Sequence, residues 1–202
     1  MLEEFIMIQA MMDRRSIRKY KAKNVPQPIL MEIIRAGSLA PSSKNRQPWK
    51  FVVIQGASKE TMLAAMEKGL AREKSDPLLP NSAKYLNGAE CTLSIMRQAP
   101  VVILIVNPLG LSMDRKINAE ERIYEICNAQ SIGAAVENMS LTATDLGLGS
   151  LWICDTYFAY KELRDWLRIK GELYAAMAIG FADEMPSARS RKHISDIIEW
   201  RS

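Results

Sequence analysis

The chain has 202 residues and a single histidine, His193. A histidine-rich metal site is therefore excluded. Cysteine is nearly as scarce: Cys91, Cys127 and Cys154 make an odd number, and no two form a C-x-x-C pair. A disulfide framework does not fit that pattern, and a reducing cytoplasm does. Long apolar runs are missing. The longest, Ala99–Val106 and Leu173–Ala182, fall far short of the roughly 20 residues that cross a bilayer. The first residues carry Glu3 and Glu4 rather than a basic region before an apolar core, so no signal peptide is expected. Neither G-x-G-x-x-G nor G-x-x-x-x-G-K-[ST] occurs, which argues against a dinucleotide-binding Rossmann unit and a P-loop. No Ser-His-Asp set and no carboxylate pair with a clear role is found. Charge of one sign does not dominate either. Lys and Arg number 27 against 23 Asp and Glu, well mixed, for a net charge of +4. A nucleic-acid binder would show a basic tail or stripe. Repeats, low-complexity segments and linkers are absent, so residues 1–202 read as one domain.

What is present is a succession of helices and strands. Phe5–Arg14 reads as a short helix. The prolines of Val25–Pro28 open a second helix, which carries Ile29, Ile33 and Ala36 at helical spacing and stops near Gly37. A Ser- and Pro-rich loop follows, then a strand from Lys50 to Gly56. Ser58–Arg72 reads as a helix capped by Ser58. Asp76–Gly88, with two prolines, has no clear period and reads as a surface loop or a lid. "APVVILIV" is a central strand buried on both faces. Ala119–Leu146 is the longest helical signal, with Ile132, Val136, Met139, Ala143 and Leu146 along one stripe and Gly147 as its cap. Gly149–Asp155 and Glu172–Asp183 read as strands around a short helix, Tyr160–Arg168. Trp49 reads as a core aromatic, and Cys154 as a packing residue on a buried strand. The expected architecture is α+β, a mixed, mainly antiparallel sheet with helices on both faces.

Two basic knots stand out. In "MMDRRSIRKYK", Arg14, Arg15, Arg18, Lys19 and Lys21 surround Ser16, and only Asp13 interleaves. The second knot, Arg189, Arg191 and Lys192, lies near the opposite end of the chain. Arginine presents a planar fork of donors that matches phosphate. If the ends meet, they form an anion clamp; if they do not, they are two solvated patches.

Taken with "APSSKNRQPWKF", the segment "RRSIRKY" resembles the opening of the nitroreductase family of flavin enzymes. The resemblance continues at "ENMSLTATDLGLGSLWICD" and "AIGFADEMPSARSRK", and lapses only over about residues 57–120. It implies a three-layer α/β/α fold, a homodimer with FMN at its interface, and NADH or NADPH as reductant. It further implies that Arg14, Arg189 and Arg191 hold the FMN phosphate. Arg15, Ser16 and Arg18 would line the ribityl chain and pyrimidine edge. Pro41, Ser42, Ser43 and Asn45 would reach the flavin from the partner subunit. Trp152, Ile153, Cys154 and Asp155 would run beside the ring, with a backbone N–H near Cys154 facing N5. No side-chain acid, base or nucleophile is required, because the flavin carries the redox chemistry. Ping-pong reduction of nitroaromatics, quinones or similar small acceptors is the implied activity, with no nucleic-acid or membrane partner. A reductive dehalogenase or flavin-degrading enzyme on the same fold, and a non-catalytic FMN-binding redox sensor, remain as alternatives. Asn81 and Lys84 have a suggestive spacing without a surrounding motif, and Glu137 stands where the family tends to a neutral residue.

Overall fold

The structure, a computed structural model, describes residues 7–78 and 81–201. Six helices and four strands appear among them: α1 Gln9–Asp13, α2 Gln27–Ser38, β1 Lys50–Ile54, α3 Gly56–Ser75, α4 Leu86–Gln98, β2 Val101–Asn107, α5 Ala119–Asp145, β3 Gly149–Ile153, α6 Tyr160–Leu167 and β4 Glu172–Gly180. The strands pair in the order β1-β2-β4-β3, every pair antiparallel. The parallel element of the expected mixed sheet is a single bridge, Ser16 to Ser150.

The apolar run of β2 explains the layering. Val102, Leu104 and Val106 enter one core, with residues of α3, α4 and α6. Val101, Ile103 and Ile105 enter the other, with residues of α2 and α5. Side chains alternate across a strand, so a strand apolar at every position must be covered on both faces. Each such Val, Leu or Ile contributes about 1.5–3 kcal/mol on full burial. The result is the α/β/α sandwich expected from the sequence.

Local signals place most boundaries. Proline opens α2 at its first turn. A capping box starts α5: the Asn118 side chain accepts from the Glu121 N–H, and the Glu121 carboxylate accepts from the Asn118 N–H. Gly147, at φ +75°, ends that helix in the left-handed region that L side chains avoid. Leu146 closes the expected stripe poorly; it sits past the last turn and is exposed.

Three readings need correction. The α3 helix begins at Gly56 after Gln55, with no side-chain cap, so Ser58 lies inside it. Much of Asp76–Gly88 is ordered: a 3-10 turn spans Ser82–Tyr85 and α4 begins at Leu86. The α4 helix was unforeseen, although Leu86, Ala89, Leu93 and Met96 fall on one buried face. The expected Phe5 start of the first helix lies outside the described residues; α1 runs from Gln9. No helix among the described residues is long and apolar enough to cross a membrane.

Candidate functional site

Backbone hydrogen bonds bring the two basic knots together. Segment 14–21 lies along the start of β3 and against the chain leaving β4. The Ile17 N–H donates to the Ser150 carbonyl (3.0 Å), Lys21 N–H to Phe181 (2.9 Å) and Asp183 N–H to Lys19 (2.9 Å). A Cβ on Gly149 would meet Ile17 at 2.7 Å, so glycine there permits the close approach. The buried Tyr20 hydroxyl shares its proton between the carbonyls of Ile17 (2.9 Å) and Ala178 (3.2 Å). Burial, then the charge of Glu184, pushes that phenol far above its ordinary range. The Glu184 carboxylate accepts from the backbone N–H groups of both Arg18 and Lys19.

The knots then share one cavity of about 110 Å³, lined by Arg14, Arg15, Ser16, Arg18, Pro186, Ser187, Arg189 and Arg191. A water occupies about 30 Å³ in the liquid, so the space suits a small anion. Five arginines line it and, among the described residues, no acid does. Glu137, on α5, reaches one of them: its carboxylate is 3.5 Å from Arg14 Nε. That pair accounts for the acidic residue at this helix position. The Arg15 and Arg18 guanidinium groups donate only to backbone carbonyls of Met12, Arg14 and Ser16 among the described residues. Pro186, Ser187 and Glu184 carried no signal in the sequence, because their role depends on how the chain ends meet.

A second cavity, about 520 Å³, lies at the end of β3. Lys84, Tyr85, Gly88, Cys154, Asp155, Tyr157 and Phe158 line it. Lys84 therefore does reach the neighbourhood of Cys154, with its ammonium 4.9 Å from the centre of the Tyr85 ring. Asn81 takes a left-handed conformation just before the 3-10 turn and makes no side-chain cap. Asp155 is anchored by the Thr92 hydroxyl, which donates to it at 2.6 Å. The strand stops at Ile153, which is buried, and a 3-10 turn from Asp155 to Ala159 swings Cys154 outward. Cys154 is thus exposed rather than a packing residue of a buried strand. Desolvation, then the charge of Asp155, raises its thiol, so it is no ready thiolate. Trp152 is half-exposed on the strand's other face.

Pro41, Ser42, Ser43 and Asn45 line neither cavity of this chain. They form a loop against α5. The Ser43 N–H donates to Ser131 Oγ at 3.3 Å, the Gln47 N–H to Ser42 Oγ at 3.0 Å, and the Gln47 amide to Asn45 Oδ1 at 3.2 Å. Lys44, Asn45 and Gln47 all have φ near +50°, at 54°, 51° and 49°. Strain of this kind costs of order 1–3 kcal/mol per residue and gathers at ligand sites. Trp49 packs half-buried against the α2–α5 core, as its sequence context suggested.

The sequence model of the nitroreductase family matches residues 11–181. Among named relatives, "Putative NAD(P)H nitroreductase YfhC" of Bacillus subtilis (strain 168) is 24% identical over 189 residues, covering 91% of this chain and 88% of that protein. Two solved structures resemble the fold closely. A BluB-like flavoprotein from Clostridium difficile 630 gives a TM-score of 0.75 at 24% identity, covering 96% of this chain and 98% of that one. A Desulfovibrio desulfuricans protein described as a "putative nitroreductase in complex with fmn" gives 0.69 at 27% identity, covering 96% and 95%. With the four sequence blocks, the sandwich and the convergent arginines, the match over most of its length establishes that this chain belongs to the nitroreductase family.

Proposed function

We propose that this chain is an FMN-dependent oxidoreductase that takes reducing equivalents from NADH or NADPH and passes them to nitroaromatics, quinones or similar flat acceptors. The observation that carries the reading is the meeting of two distant arginine clusters in one acid-free cavity. Five cations without a lining carboxylate fit a phosphate dianion, so the residues present suit FMN. When bound, FMN would supply hydride acceptance and donation in a ping-pong cycle.

The chain's own residues supply position and charge. Arg14, Arg189 and Arg191 would neutralise the phosphate. Ser16 adds a neutral donor beside them, and Arg15 lines the ribityl side. Arg18 would favour negative charge at the pyrimidine edge, and Lys84 offers a second cation near Cys154. The turn after Ile153 leaves the backbone near Cys154 and Asp155 facing open space, where an N–H can hold the ring edge. Thr92 fixes that turn through Asp155.

The cofactor site would be completed by a second copy. Pro41, Ser42, Ser43 and Asn45 stay outside the arginine cavity of their own chain, which suits contact with the partner's flavin. Met11, Met12 and Leu39, apolar and exposed nearby in sequence, suit a buried dimer face.

An absorption spectrum of the freshly purified protein tests this. A yellow flavin spectrum is expected, and anaerobic NADH or NADPH should bleach it. A colourless protein that takes up no added FMN would sink the reading. A bound flavin that neither nucleotide bleaches would favour the redox sensor. Sedimentation tests the dimer, which a flavin-loaded monomer would contradict.

A further inference from the structure

An open cavity of about 520 Å³ lies where the N-terminal half of α5 faces the starts of α6 and β4. Its lining is mostly apolar, yet it holds Tyr157, Tyr160, Tyr174, Glu125 and Glu172, with the exposed Arg122 among them. The rings are fixed. The Tyr157 hydroxyl donates to the Tyr174 carbonyl at 3.1 Å, and the Tyr157 and Tyr160 rings stack 6.5 Å apart at 27°. Each acid is met by a phenol: Tyr174 donates to Glu125, and Tyr160 to Glu172. Glu172 also has Arg164 at 3.7 Å. Glu125 has no ion pair among the described residues, and one phenol fills only one of a carboxylate's roughly four acceptor sites.

An independent observation points the same way. A neighbouring cavity of about 420 Å³ shares Glu125 and Leu111 with the first and is lined also by Asn128. Asn128 is 2% exposed, and its Oδ1 finds no donor among the described residues. In that same cavity the Arg46 guanidinium lies 4.2 Å from the centre of the Tyr124 ring. The region thus combines one acceptor without a donor among the described residues, Asn128 Oδ1, and a carboxylate with spare acceptor sites, Glu125, with aromatic faces, and the faces of aromatic rings attract cations.

We propose that this groove is a subsite for a planar aromatic cation, anchored by Glu125 and walled by Tyr157, Tyr160 and Tyr174. Tyr157 also lines the cavity of Cys154 and Lys84, so the subsite adjoins the candidate flavin site. Resting on the proposed function, this makes acceptors with a positive charge on an aromatic body the preferred class, and anionic acceptors the disfavoured one.

Calorimetry on the protein as purified tests the subsite without turnover. The probes are 1-methylquinolinium, its neutral isostere 1-methylnaphthalene, and 2-naphthoate. The cation should bind about tenfold tighter than the neutral probe, and the anion should give no heat. E125Q keeps an acceptor for Tyr174 and should abolish the preference while the circular dichroism stays native. Equal binding of cation and neutral probe overturns the proposal, as does an unchanged preference in E125Q. A flat titration also overturns it. Recovery of binding in the full-length I197D/W200D variant would then assign the groove to the C-terminal segment of a second copy, whose Ile197 and Trp200 are exposed. Because nothing is reduced in the experiment, its result is separate from whether NAD(P)H bleaches the flavin.

Discussion

Arginine is used in two opposite ways in this molecule. Arg72, on α3, is saturated. It donates to Glu162 at 2.8 and 3.3 Å, to Glu73 at 2.6 Å, and to the carbonyls of Asp76 (3.0 Å) and Phe158 (3.1 Å). Glu73 in turn accepts from the Leu78 N–H at 2.9 Å. Among the described residues, the guanidinium groups of the small cavity have backbone carbonyls and one carboxylate, that of Glu137, between them. A guanidinium whose donors are all met inside the chain is a structural tie. A convergent set whose donors are unmet among the described residues has the chemistry to take an anion from outside.

The largest effect should come from breaking the saturated arginine. Arg72→Met would take the guanidinium away from Glu73, whose side chain is fully buried, and from Glu162, 11% exposed. Losing one partner of a buried ion pair costs about 3–5 kcal/mol. Chemical denaturation should show that loss. A shift within experimental error would mean the carboxylates find water or other donors, and the contrast with the cavity would weaken.

Breaking the unsatisfied set should do the reverse. Arg189→Ala with Arg191→Ala removes charge from two exposed positions. Stability should change by no more than about 0.5 kcal/mol. Charge-assisted hydrogen bonds are worth roughly 1.5–3 kcal/mol each, so FMN affinity should fall about a hundredfold or more. Equilibrium titration with FMN measures this; wild-type affinity in the double variant would place the phosphate elsewhere.

That convergence was legible in part. The two knots could be read because arginine without interleaved acids is unusual, but only hydrogen bonds such as Lys21 to Phe181 and Asp183 to Lys19 show that they meet. The long α5 helix was readable to within a residue, since its stripe is continuous and Gly147 ends it. The doubly buried β2 was readable because every residue from Val101 to Val106 is apolar. The α4 helix was missed, since the prolines and Gly88 around its start mask its period. Cys154 was misplaced because a strand and the 3-10 turn after it look alike when both are short and apolar. The Arg14–Glu137 pair joins residues far apart in sequence, and no local pattern announces it.

Acid titration sharpens the comparison at the satisfied arginine. Burial alone would raise the Glu162 carboxyl. Hydrogen bonds from Arg72 and the backbone, with the charges of Arg72 and Lys68, outweigh burial and hold it below its ordinary 4.5. A carboxyl depressed in the folded state contributes stability that is fully present above its unfolded value. That contribution is lost as pH falls through the folded one. Denaturation free energy should therefore decline below about pH 4.5, less steeply in Glu162→Gln than in wild type. Parallel slopes would mean Arg72 does not bias the proton on Glu162.

The smallest effect falls on the one acid that, among the described residues, pairs with a guanidinium of the unsatisfied set. Glu137 is 47% exposed and Arg14 26%, at 3.5 Å, so water screens the pair and its stability value is about 1 kcal/mol or less. It has two opposed consequences for an incoming anion. The carboxylate competes with phosphate for Arg14, and it also holds the guanidinium in place. Exposure decides between them: a screened, single-contact pair orients weakly, whereas its negative charge acts on the phosphate through the same short distance. Glu137→Gln should therefore tighten FMN binding a few-fold at low salt. The gain should shrink as ionic strength rises, since a Debye length of about 8 Å at physiological salt screens exposed charge. Weaker binding in Glu137→Gln at every salt concentration would instead make Glu137 the group that aims Arg14. That outcome would move Arg14 from the unsatisfied arginines toward the class of Arg72.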